Sequence, residues 1–198
     1  MSLTISVKAD IKAATRFLDS LQRQQMPFAI ARALTRTAQD AQKEATRQLE
    51  TKLDRPTPFT KRAIAYDRAT KQRLVATVLV KPIQAAYLKW LIEGGTRPTQ
   101  GTGTGIPTKA ARLNQYGNIP NRKGGLIKGK KQFIATIGNT TGVWERVRRE
   151  LRLIVAIDKD PTYKADQYPF ERIVEGVSRS KFRRYMAESL ADALRTAR

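Results

Sequence analysis

Apolar positions along this chain follow two periods, one helical and one strand-like. From Ile30 through Leu34, Ala38, Ala41, Ala45, Leu49 and Leu53 they recur every three or four residues, which predicts one stripe of a helix of about seven turns. The stripe is rich in alanine, so a neighbouring helix or sheet can come close, while Arg32, Arg36, Lys43 and Arg47 lie off it in the solvated sector. Pro27 suits the first turn of that helix. Ahead of it, Thr4 to Val7 alternates, and Ile11, Thr15, Leu18 and Leu21 suggest a first short helix. Behind it, Arg55-Pro56 stops the helix, because the residue before proline is pushed out of the helical region. Thr57-Pro58 then offers a new helix start, expected to run to about Tyr66. A second long stripe closes the chain, from Phe170 through Ile173, Val174, Val177, Phe182, Tyr185, Met186 and Leu190 to Leu194, with a bend expected at Gly176.

The strand-like period appears between these stripes. Arg73–Lys81 is β-branched and closed by Pro82, and Ile83–Ile92 returns to helical spacing. Gln132–Ile137 alternates up to a five-residue turn cluster, Gly138–Gly142, after which Val143-Trp144 resumes strand composition, so a hairpin is expected. Arg152–Ile157 reads as a more buried strand ended by Asp158-Lys159-Asp160-Pro161, and Val147–Leu151 fits either strand or loop. The prediction is one α+β domain over residues 1–198: a small antiparallel sheet of about four strands with two long amphipathic helices on one face.

Composition changes this picture in one place. Residues 94–131 hold Arg97, Lys109, Arg112, Arg122, Lys123, Lys128, Lys130 and Lys131, with no acidic residue between Glu93 and Glu145, and eleven of the twelve glycines fall between Gly94 and Gly142. A segment so poor in apolar anchors and so self-repelling reads as a flexible basic loop that orders on a partner. The whole chain carries a formal charge of +21, which calls for an anionic neighbour: nucleic acid, an acidic protein or a headgroup surface. The eight cations are the candidate contact, electrostatic and blind to sequence, since Tyr116 is the single aromatic among them. The bland alternative is a solvated loop.

The same composition argues against catalysis and resident cofactors. The chain has neither cysteine nor histidine, so the commonest general base, metal ligand and thiolate nucleophile are missing. Asp158, Asp160, Asp166 and Glu171 could hold Mg²⁺, but Asp158-Lys-Asp-Pro reads better as turn chemistry. Gly101-Thr-Gly-Thr-Gly105 lacks the Gly-Lys-Ser/Thr of a phosphate loop. Asn139-Thr140-Thr141 matches the glycosylation triplet and reads as a turn. No apolar run approaches the roughly 20 residues that span a bilayer, and the N-terminus shows no signal pattern, so a cytoplasmic origin without a membrane partner is expected.

Three segments resemble the minor tail or tail-completion proteins of long-tailed bacteriophages, the group that includes lambda's minor tail protein Z, and related head–tail neck proteins. They are the alanine-rich Phe28–Ala38, the stretch Tyr87-Leu-Lys-Trp-Leu-Ile-Glu-Gly-Gly-Thr-Arg97 ahead of the basic loop, and the closing helix opened by Pro169-Phe170. The resemblance implies a structural virion protein, not an enzyme, acting in tail completion at the head-proximal end of the tail. It also implies a ring of identical subunits, tube and terminator proteins as partners, and DNA passing through or stopping nearby. A free-standing, sequence-independent nucleic-acid-binding protein is the alternative that charge alone supports.

Overall fold

The computed structural model describes residues 4–7, 25–99, 101, 103–120 and 131–196, with the backbone alone described at 4–7 and 196. Within them the chain is a mixed α+β protein of four helices and three antiparallel sheets. Helix α1 (Gln25–Lys52) is followed by a single turn, α2 (Pro58–Lys61), and later by α3 (Pro82–Ile92) and α4 (Phe170–Thr196). A three-stranded sheet has the order β1 (Thr4–Val7), β3 (Ala76–Val80), β2 (Ile64–Asp67), and β4 (Gly95–Thr96) pairs with β9 (Thr162–Tyr163). The four-stranded sheet has the order β5 (Thr104–Pro107), β8 (Glu150–Asp158), β7 (Thr140–Val147), β6 (Gln132–Ile137).

Helix α1 is the centre of the core. It packs along α4 and also touches β2 and β3, and Ala33, Ala41, Ala45 and Leu49 are fully buried on it. Small side chains there let both neighbours approach closely, the use expected of an alanine stripe. Helices α1 and α4 run antiparallel, as their cross-links show: Arg32 to Asp192 at 2.9 Å, Arg36 to Glu188 at 2.7 Å and Lys181 to Asp40 at 2.8 Å. Tyr168, just ahead of α4, is buried and donates its phenol O–H to the carbonyl of Ala45 at 2.8 Å. Burial pushes its pKa well above the ordinary phenol value, so it serves as a neutral donor that ties the entry of α4 to α1.

Several expectations change. The helix expected to reach Tyr66 ends after one turn, because Lys81 N donates to the Ala63 carbonyl at 2.8 Å and residues 64–67 are taken up as β2 beside β3. A four-stranded antiparallel sheet is present, but only three of its strands, β6, β7 and β8, come from the runs read as strands. The run within 73–81 belongs to the other sheet, which α1 covers. The turn between β6 and β7 is two residues, Gly138-Asn139, with Gly138 at φ +60°. Gly142 sits inside β7, where a Cβ would lie 2.3 Å from the Val155 carbonyl oxygen. The short helix suggested by Ile11, Thr15, Leu18 and Leu21 lies outside the described residues.

The described part of 94–131 is folded onto the body. β5 pairs with β8 over Thr104–Pro107, and β4 pairs with β9. Glycine serves close approach at Gly103, whose φ is +115° and whose added Cβ would meet Asp158 O at 2.6 Å and Ile157 Cγ2 at 2.8 Å. Thr108 completes the join at an irregularity of β8. The register shifts between Val143 and Trp144, leaving Ile154 without an opposite residue on β7. The Ile154 carbonyl accepts from Thr108 N at 3.0 Å and from its hydroxyl at 3.1 Å.

Candidate nucleic-acid interface

The four-stranded sheet brings cations to one end. β7 passes to β8 through the two residues Arg148-Arg149, since Val147 pairs with Glu150. Arg148 has φ +55°, a left-handed conformation that costs a side-chain-bearing residue about 1–2 kcal/mol. Two-residue hairpin turns ordinarily place Gly, Asn or Asp at such positions. An arginine there keeps a charge at the tip at some expense of stability. Arg146 is two residues earlier, on β7, and its N–H donates to the carbonyl of Lys131, just ahead of β6, at 3.1 Å. On the other edge, β5 runs antiparallel to β8, so the chain beyond Thr108 heads toward the same end and carries Lys109 and Arg112 there.

Lys109, Arg112, Lys131, Arg146, Arg148 and Arg149 are all exposed, and none forms a salt bridge among the described residues. Two carboxylates share this end of the sheet. Glu150 is exposed, and Glu145 is occupied: Arg152 Nη2 donates to it at 2.6 Å and Gln132 Nε2 at 3.3 Å. The Arg152 hydrogen bond, then that from Gln132, holds the Glu145 carboxyl below its usual pKa, and the charge of Arg112 adds to the effect. The helices differ in this respect, because the cations of α1 that face α4 meet carboxylates across the seam. Six cations without a salt bridge among the described residues therefore stand toward the hairpin end of the sheet, about 26 Å along β8 from its other end; Arg68, Lys71 and Arg73, in the loop between β2 and β3, are likewise exposed and without one.

Of the eight cations singled out in the sequence, Lys109, Arg112 and Lys131 lie toward this end. Arg97 lies toward the opposite end, where its N–H donates to Pro161 O at 3.0 Å. Arg122, Lys123, Lys128 and Lys130 lie outside the described residues. Tyr116 is elsewhere again, in a turn in which Asn114 Oδ1 accepts from the backbone N–H groups of Tyr116 and Asn118, at 2.9 and 3.0 Å. It faces Arg55 and Lys61 across a shallow groove. The sequence reading missed Arg146, Arg148 and Arg149. The available signal was three arginines in four positions between two strand-like runs.

The other candidates resolve into structural roles. Asp160 accepts from Thr99 N at 2.9 Å, Asp166 accepts from Arg172, and Asp158 sits opposite Thr104 in the sheet. Among the described residues no group of three or more acidic side chains stands together as a metal site. Gly103 and Gly105 lie at the β5 edge, and a turn follows β5 where a phosphate loop would have a helix. No described helix is long and apolar enough to cross a membrane. Comparison with models of protein families, with curated proteins and with solved structures gives no match to this chain.

Proposed function

We propose that this chain is a structural virion protein of a tailed bacteriophage that completes the tail at its head-proximal end, in a ring of identical subunits. In this reading the hairpin end of the four-stranded sheet faces DNA. The observation that carries the proposal is the division of labour within the subunit. A helical core has its own charges largely paired, and a β-sheet arm presents at one end six cations that form no salt bridge among the described residues. The resemblance of Phe28–Ala38, Tyr87–Arg97 and the closing helix to tail-completion proteins supplies the assembly context. In a ring each subunit needs only a weak electrostatic hold on the phosphate backbone, because copies held around one duplex act at high effective concentration.

The experiment is complementation of a phage lacking the chain. A variant carrying Arg146→Glu, Arg148→Glu and Arg149→Glu is expected to keep its helix content by circular dichroism and to leave heads and tails unjoined in electron micrographs. Joined, infectious particles at the wild-type level would contradict the proposal. The arginine tip also favours a second reading, a free-standing nucleic-acid-binding protein. The two separate on the isolated subunit: submicromolar affinity for duplex DNA at physiological salt supports the second reading, and weak binding supports the ring.

A further inference from the structure

Arg97, stranded from the other cations, borders a cavity of about 470 Å³ together with Lys89, Trp90, Pro98, Thr99 and Thr104. The volume lies within the ~300–1,000 Å³ of small-ligand sites. Both cations are half-buried, and neither pairs with a carboxylate among the described residues. Lys89 Nζ instead rests 4.5 Å from the centroid of the Trp90 ring. The walls are fixed by backbone contacts that tolerate no Cβ. Gly94, at φ +75°, lies against Ala165, where an added Cβ would come 2.6 Å from the amide nitrogen. Gly103 is held against Asp158 in the same way. Thr99 is bound to Asp160, and Arg97 N to Pro161 O. The cavity is therefore pre-organised, cationic and bordered by the Trp90 side chain.

We infer that this cavity binds a nucleotide-type anion, with its phosphate on Lys89 and Arg97 and its planar base on Trp90. A bare inorganic anion would leave the indole and most of the volume unused. A phosphate draws the Lys89 ammonium from the ring, because a charge-assisted hydrogen bond is stronger than an exposed cation–π contact. That movement bares a face of Trp90 on which a base can stack. A free mononucleotide and the terminal nucleotide of a strand offer this same chemistry. The inference rests on the cavity alone and stands apart from the assembly role.

The test follows Trp90 fluorescence in a Trp144→Phe background, which removes the other tryptophan. The probes are inorganic phosphate, a purine nucleoside monophosphate, and a short single-stranded oligonucleotide with and without a 5′-phosphate. The monophosphate, the 5′-phosphorylated strand or both are expected to quench Trp90 saturably, and the probe that does so identifies the source. Lys89→Gln and Arg97→Gln are each expected to weaken the apparent Kd at least tenfold with unchanged circular dichroism, and Lys43→Ala, on the exposed side of α1, to leave it as it is. Three results would overturn the inference: no saturable response to any probe, equal affinity in wild type and both variants, or inorganic phosphate binding as tightly as the nucleotide.

Discussion

At the residue scale, two charged side chains show opposite uses of electrostatics. Asp40 on α1 is partly buried, which by itself disfavours its charge, but hydrogen bonds from Lys181 and the Tyr185 phenol outweigh that, and its pKa is lowered. A carboxyl with a depressed folded-state pKa stabilises the protein above its unfolded value of about 3.9, and the benefit is lost as pH falls through the folded value. Asp40→Asn is therefore expected to cost about 1–2 kcal/mol at pH 7, with the deficit shrinking as pH falls below the unfolded value and on through the lowered folded one. Thermal melts of both proteins across that range check it. Arg148 shows the reverse case, an exposed charge held at φ +55°. Arg148→Gly is expected to raise stability by about 1 kcal/mol, because glycine adopts that conformation without strain. The same change is expected to weaken DNA binding. Chemical denaturation and a binding titration on one sample separate the two effects, and a gain in both would deny the tip its role.

At the element scale, legibility followed how local the cause was. Helices α1 and α4 were readable because their stripes are long and periodic, and Pro82 marked the start of α3. β6 and β8 were readable from apolar runs bounded by turn residues. β2 was misread because Thr57-Pro58 is a genuine helix start, whose Thr57 hydroxyl accepts from Thr60 N at 3.2 Å, while pairing with β3 decides the residues beyond. In β5, Thr-Gly-Ile-Pro, the strand formers Thr and Ile are offset by Gly and Pro, and its partner β8 dictates the pairing. Composition alone therefore did not show that Gly103 allows this close contact. Gly103→Ala is the check: both the positive φ and the Asp158 backbone oppose it, so a loss of about 1–3 kcal/mol is expected. Amide exchange should quicken along β5 and the facing part of β8, with α1 and α4 protected as before. The candidate interface was half legible for the same reason. Lys109, Arg112 and Lys131 stood out by composition, but pairing alone brings them toward Arg146, Arg148 and Arg149.

At the scale of the whole molecule, a charge of +21 is less informative than where its compensation fails. The α1–α4 seam uses its cations internally, and the sheet end does not. On that basis the arginine tip is the surface we propose to meet a phosphate backbone. The most direct measurement is the dependence of duplex-DNA affinity on salt, for the wild type and for Arg146→Ala, Arg148→Ala, Arg149→Ala combined. Each phosphate contact adds about 0.9 to the slope of log K against log salt. The account predicts a slope shallower by about 2 to 3 in the variant, with circular dichroism unchanged. Equal slopes would contradict it and move the anion contact away from the hairpin.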